Sequence, residues 1–358
     1  MVTDRGLSKA SFIKEIEHIL KAFSLDFGIF SGVRPNPIGA TVESGVQVYL
    51  EGNHDGVIAI GGGSSLDTGK AIAFMSGQSE SLWNYAMADF SNADGLARIV
   101  NVNGIAPVIS VPTTAGTGSE IGRAAAIVDE SLSVKKALFH KHLMPRACIA
   151  DPELTLELPG DLTAATGMDA LSHNIEAFCC PFLHPMSDGL AIEGMRLIKE
   201  ALPRAVSDGT DLQARSDMLA ASILGGGAFQ KGVGAMHALS HPCSGIFDLH
   251  HGLVNAVLMP YVLKHNATLP SVDHKLTAAA RYLDLKNPST AAMVQWTIDL
   301  RKSIGIPNTL SDLGVEIEDI QRLAPMASAD VCSGENPLPL TTETCAELYH
   351  DAITGNLE

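Results

Sequence analysis

The sequence predicts an α/β domain over residues 1–155 followed by an all-helical domain over residues 156–358. Three observations carry this reading. Short β-branched runs alternate with helical stretches and glycine turns up to about Pro152, the pattern of a parallel sheet wrapped by helices. Beyond Leu154 only helical periodicities remain, punctuated by Gly and Pro. Between the two, DPELTLELPGDL interrupts both patterns with prolines and acidic turns.

Taken in order, the clearest strands are FGIFSGV, GVIAI, PVISV and ACIAD, and the last three end in a Gly, Pro or Asp turn. GVIAI runs directly into GGGSSLDTGKAIAF, whose apolar spacing after the glycines is helical, so a strand, a glycine turn and a helix follow one another. Pro159 and Asp161 open the first helix of the second half. There is no internal repeat or low-complexity tract, which excludes a solenoid or a linker protein.

With 358 residues, 46% hydrophobic and 18% charged, the chain can bury one large core or two. A formal charge of −16 repels a phosphate backbone, and the basic pairs Lys135-Lys136 and Arg301-Lys302 are too short for a nucleic-acid or lipid patch. No nucleic-acid and no membrane partner is expected. The six cysteines show no CxxC spacing, and a chain this long needs no disulfide staples, so reduced thiols in the cytoplasm are expected. The start MVTDRGLSKA lacks the charged and apolar regions of a signal peptide, and no apolar run approaches the length of a membrane span.

Two loops suggest a nucleotide. GGGSSLD, residues 61–67, places three glycines between a buried strand and a helix, where backbone N–H groups and the positive helix end can cradle a pyrophosphate. Alone, such a turn is moderately specific, with helix–strand packing as the lesser reading, and it lacks the spacing of the usual dinucleotide fingerprint. PTTAGTGSE, residues 112–120, follows another apolar strand and offers the hydroxyls of Thr113, Thr114, Thr117 and Ser119. Because ligands of open α/β sheets sit outside the carboxyl ends of the strands, both loops could face one extended cofactor.

The histidines carry the metal signal. Asp169 and His173 in GMDALSHNIEAF are four apart on one helical face, and GAMHALSHPCSGIFDLHHG repeats that spacing with His237 and His241 before His250 and His251. One Asp/His pair at this spacing is more often a hydrogen bond than a metal site. Five of the thirteen histidines in two short windows are harder to explain by packing. Imidazoles with one carboxylate and no thiolate suit Fe²⁺, Mn²⁺ or Zn²⁺ with an open position, a catalytic rather than a structural arrangement. Such an ion lowers the pKa of an alcohol and favours hydride loss to a nearby nicotinamide.

The ordered set GGGSSLDTGKA, PTTAGTGSE, DPELT, GMDALSH and HALSHP followed by HHG resembles the iron-containing, metal-dependent alcohol dehydrogenases over nearly the whole chain. The resemblance implies a Rossmann-like, NAD-binding N-terminal domain, a C-terminal helical domain and an active-site cleft between them. It implies Asp169, His173, His237 and His251 as ligands of Fe²⁺ or another divalent metal such as Zn²⁺. His241 would then be the proton relay, with His250 a bystander. Gly62, Gly63 and Ser64 resemble the pyrophosphate loop, Asp67 the nicotinamide side, and Thr113, Thr114, Thr117, Lys136 and Asn36 further cofactor contacts. Asp4 matches an acidic residue set against the adenosine ribose, where a carboxylate repels a 2′-phosphate and favours NAD over NADP. The implied reaction is reversible hydride transfer between a primary or small alcohol or aldehyde and NAD, in a homodimer.

Two departures stand out. Gly122 and Ala124 lack the polar side chains some family members carry there, and the family's first sheet strand is expected to be missing, leaving strand edges unpaired. The rival readings are a zinc-dependent polyol dehydrogenase of the glycerol type, a metal-dependent hydrolase, which would leave the two loops without a task, and a truncated, inactive cofactor-binding remnant.

Overall fold

The computed structural model describes residues 1–87, 100–132 and 134–357. The chain divides into two compact units, the first comprising Met1–Thr114 and Ser119–Thr155, the second Ala115–Gly118 and Leu156–Glu358.

In the first unit, β1 (Val2–Asp4), β2 (Phe30–Val33), β3 (Val57–Gly61), β5 (Val108–Pro112) and β8 (Ala147–Cys148) form one sheet in the order β2-β1-β3-β5-β8. All its pairings are parallel. The helices α1 (Ser11–Ala22), α2 (Gly39–Glu51) and α3 (Gly63–Met75) alternate with the first strands. β3 shows why its sequence is apolar throughout: Val57 and Ala59 join one buried cluster with Leu66, Ile72 and Phe74, while Ile60 joins Ile13 and Val111 in another. Side chains alternate across a strand, so a sheet covered on both faces needs apolar residues at every position.

Two features differ from the sequence expectation. Val2–Asp4 pairs with β2 on one side and β3 on the other, so the sheet has no unpaired gap at this place. A three-residue strand is too short to show a period, which is why the pattern did not reveal it. A second sheet of β4 (Ala86–Met87), β6 (Ala124–Asp129) and β7 (Val134–Phe139) is antiparallel, in the order β4-β7-β6. Its strands AAAIVD and VKKALF are rich in Ala and Lys, residues of weak β preference, so only pairing makes them strands.

The second unit is helical: α4 (Gly160–Cys179), α5 (Pro185–Ser207), α6 (Leu212–Ala228), α7 (Ala235–Phe247), α8 (His251–Asn266), α9 (Pro270–Tyr282), α10 (Thr290–Ser303), α11 (Ile320–Ser328) and α12 (Thr342–Thr354). α4 is its axis, with every residue from Thr163 to Cys179 buried. A helix buried all round must satisfy each polar group it carries, and Asp169, His173, Asn174 and Glu176 all lie on it. Its carboxyl end is held by two lysines. Lys231 Nζ donates to Ala177 O at 3.0 Å and Lys275 Nζ to Phe178 O at 2.6 Å, cations placed where the helix dipole and orphan carbonyls favour them. Among the described residues, no helix is long and apolar enough to cross a membrane.

Candidate functional site

The first unit presents the two loops at the carboxyl ends of adjacent strands. Gly61 closes β3 with φ of +140°, where a Cβ would also lie 2.6 Å from Ser65 Oγ, so only glycine fits. Gly62 caps α3, placing the backbone N–H groups of Gly63 and Ser64 at the positive end of that helix. Thr113 N donates to Gly61 O at 3.0 Å, and a Cβ on Gly62 would come within 3.3 Å of Thr114 Oγ1, so the two loops form one continuous surface.

Several residues expected at the cofactor have other partners. Asp67 Oδ1 accepts from Ser119 Oγ at 2.6 Å, Oδ2 accepts from Ala126 N at 3.0 Å, and Lys70 Nζ lies 3.1 Å away. Its carboxylate thus ties α3 to the second loop and to β6. Lys136 Nζ pairs with Asp129 Oδ2 at 2.8 Å and lies 5.3 Å from the Trp83 ring centroid, which occupies the ammonium within the antiparallel sheet. Asp4 Oδ1 accepts from Gly6 N at 2.7 Å and Leu7 N at 3.0 Å, closing a turn after β1. Asn36 adopts a left-handed φ of +47°. Thr117 lies in the short segment that belongs to the second unit.

In the second unit the histidines converge. Asp169, His173 and His237 are buried, and a ligand atom from each lies within 4.8 Å of the others. His251 Nε2 is 3.8 Å from Asp169 Oδ1, and its ring centroid is 5.1 Å from that of His237. The close approach of α8 to α4 depends on Gly252, where a Cβ would collide with Ala165 O and lie 3.0 Å from Asp169 Cβ. His250 sits just before α8 as its capping residue.

Each imidazole of this group is oriented through Nδ1. His173 Nδ1 donates to Gly116 O at 3.2 Å, His237 Nδ1 to Glu176 Oε2 at 2.6 Å, and His251 Nδ1 to Ser240 Oγ at 2.9 Å, whose own hydroxyl donates to His237 O. Nε2 is therefore the nitrogen that keeps its lone pair in all three, as a metal ligand requires. His237 Nε2 is buried without any hydrogen-bond partner. An orphaned buried acceptor costs stability unless something fills it, and a cation held with Asp169 fits. Burial drives the His173 pKa down to about 4, so its imidazole is neutral near pH 7. Burial also opposes charge on His237, but the Glu176 carboxylate at Nδ1 outweighs it and raises its pKa. The residues present fit a divalent ion.

Glu176 was not singled out from the sequence, although it lies three residues after His173 and seven after Asp169 on the same helical face. Its carboxylate also accepts from Gly234 N and Met236 N, so it fixes the start of α7 as well as the His237 ring. Asn255 Nδ2 donates to Asp169 Oδ1 at 2.9 Å and to His251 Nε2 at 3.1 Å, linking the carboxylate to the fourth candidate ligand. His241 stands outside this group of candidate ligands. Its ring stacks on His251 at 5.2 Å and 15°, and its Nδ1 donates to Asp330 Oδ2 at 2.9 Å.

Residues 1–152 match the iron-containing alcohol dehydrogenase model, and residues 163–353 match that of the Fe-containing alcohol dehydrogenase family, C-terminal. The chain belongs to the iron-containing alcohol dehydrogenases. Within the family it is 39% identical over 346 residues to a 4-hydroxybutyrate dehydrogenase of Cupriavidus necator, with 94% of this chain and 87% of that one covered. It is 36% identical over 358 residues to an NAD-dependent methanol dehydrogenase of Bacillus methanolicus, covering 99% and 91%. Among solved structures it resembles a 1,3-propanediol oxidoreductase at 34% identity and a TM-score of 0.91, covering 98% and 91%. Like its family, it is a metal-dependent, NAD-linked oxidoreductase acting on CH–OH groups.

Proposed function

We propose that this dehydrogenase oxidises a small primary alcohol, or reduces the matching aldehyde, with Asp169, His173, His237 and His251 holding the metal and His241 carrying the proton. The observation that carries the reading is that ligand atoms of buried Asp169, His173 and His237 lie within 4.8 Å of one another, with His251 Nε2 3.8 Å from Asp169 Oδ1, while the Nδ1 of each histidine is tied to a hydrogen-bond acceptor. When bound, a divalent ion supplies the Lewis acid that polarises the alcohol oxygen, and NAD accepts the hydride. Glu176 holds the His237 ring, Ser240 holds the His251 ring through Nδ1, and Asn255 holds Asp169. Asp330 holds the proton on His241 Nδ1, which leaves Nε2 as the nitrogen able to take up a proton from the alcohol.

In the first unit the N–H groups of Gly63 and Ser64 would bind the pyrophosphate, with Gly62, Thr113 and Thr114 around it. Asp67 would act by holding this loop in shape. We assign NAD preference to Asp4, since the carboxylate disfavours a 2′-phosphate. The names of the relatives, which denote methanol and 4-hydroxybutyrate, support a primary alcohol. A homodimer in the cytoplasm is part of the same proposal. Anaerobic reconstitution with Fe²⁺, followed by NADH absorbance across a panel of alcohols, tests it. NADH formed with primary alcohols and abolished in His237→Ala is expected; activity that survives full metal removal would refute it. Equal kcat/KM with NAD and NADP would remove the role given to Asp4.

A further inference from the structure

A second group of donors lies beside His251. His241, Asp330 and Cys332 offer an imidazole nitrogen, a carboxylate oxygen and a thiol sulfur, all within 4.8 Å of one another. Ligand atoms around a tetrahedral zinc ion sit roughly 3.3–3.7 Å apart, so small side-chain shifts bring all three onto one ion. We propose that His241, Asp330 and Cys332 form a second divalent-cation site that takes thiophilic ions of the Zn²⁺ type and, when filled, inhibits the enzyme.

Three features favour it. Two of the donors come from one turn: Asp330 caps the short helical segment Val331–Glu335, its Oδ1 accepts from Cys332 N at 2.9 Å, and the carboxylate is thereby fixed beside the sulfur. The third, His241, already lies at hydrogen-bond distance from Asp330 Oδ2 and is part-exposed, so water can complete the coordination. The surroundings are anionic as well: burial first, then the carboxylates of Asp330, Glu335 and Glu176, push the Cys332 thiol well above the usual thiol range. A dication enters a negative field there and replaces the thiol proton.

The donor set separates this site from the first. Asp169 and the three histidines offer only nitrogen and oxygen, whereas a thiolate selects zinc-like ions over Mg²⁺ or Mn²⁺. On binding, metal–sulfur, metal–nitrogen and metal–oxygen bonds form, the Cys332 proton leaves to solvent, and the His241 proton moves from Nδ1 to Nε2. That nitrogen then has no lone pair for the alcohol proton, so turnover stops. This consequence rests on the proton role proposed for His241; the binding does not. Because the His241 ring stacks on His251, an ion in the first site repels the second, which therefore binds more weakly.

The test uses holoenzyme freed of excess metal and titrated anaerobically with Co²⁺. A thiolate-to-cobalt charge-transfer band in the near ultraviolet is expected to grow with about one further equivalent per chain, because the first site contains no sulfur. The band should vanish in Cys332→Ser and in Cys332→Ala, with folding checked by circular dichroism, and persist in Cys179→Ser. Zn²⁺ in excess should inhibit the wild type, Mg²⁺ should not, and Cys332→Ser should raise the inhibitory concentration roughly 10–100-fold. A band without inhibition upholds the site and removes His241 from proton transfer. No band at saturating Co²⁺, or a band that survives both Cys332 variants, overturns the proposal.

Discussion

His237 and His241 are one helical turn apart and have different partners. The first has Nδ1 bound to Glu176 and an orphaned Nε2; the second has Nδ1 bound to Asp330 and stacks on His251 from outside the group of candidate ligands. Substitution should separate the two roles. His251→Ala is expected to lose metal and activity together, whereas His241→Ala should keep its metal, measured by elemental analysis, and turn over roughly 10²–10⁴-fold more slowly. Full metal content in His251→Ala would exclude it as a ligand. Glu176→Gln keeps the shape of the side chain but weakens the hold on Nδ1 and on the start of α7. Metal affinity, read by competition with a chelator, should fall roughly 10–100-fold; an unchanged affinity would reduce Glu176 to a helix cap.

At the scale of elements, the site depends on how closely α8 lies against α4. Gly252→Ala introduces a Cβ that collides with Ala165 O, and the helix must move. A cost of about 1–3 kcal/mol is expected from overpacking, seen as a lower midpoint in denaturant, together with weaker metal binding because Asp169 and His251 are drawn apart. Gly189→Ala is the control. That glycine lies within α5 with open space where its Cβ would go, so the same change should stabilise by about 0.5–1 kcal/mol through helix propensity. Destabilisation by both variants, or by neither, would show that the helix contact does not set the outcome.

Across the whole molecule, two bulk measurements follow from burial. All six cysteines are free, and five are buried. Burial pushes the thiols of Cys179 and Cys243 up to about 12 and that of Cys345 to about 11, so they stay protonated and unreactive near neutral pH. A thiol reagent should label the native protein at Cys148 at most, and the remainder only after denaturation; rapid labelling of several thiols would mean the helical unit opens readily. Metal removal should also lower the thermal midpoint. An ion that binds only the folded chain stabilises it by about 4 kcal/mol at a thousand times its Kd, and its loss leaves His237 Nε2 unpaired. An apo protein with the same midpoint would place the ion elsewhere.

What the sequence determined by itself is what local spacing encodes. The run from GVIAI into three glycines is a strand, a turn and a helix within one short window, and Asp169 with His173, like His237 with His241, share a face because a helix turns every 3.6 residues. The division between a parallel α/β half and a helical half is legible for the same reason. Pairing over long distances leaves no such trace. β1 becomes a strand only between β2 and β3, and Ala-rich β6 only against β7. Between His250 and His251 the chain offers no choice; the packing of α8 against α4 puts His251 beside Asp169. The partners that orient the site lie still further off in the chain, with Glu176 and His237 61 residues apart, Asn255 and Asp169 86, and Asp330 and His241 89. Burial forces each of these polar groups to find a partner, but which partner is decided only when the helices pack.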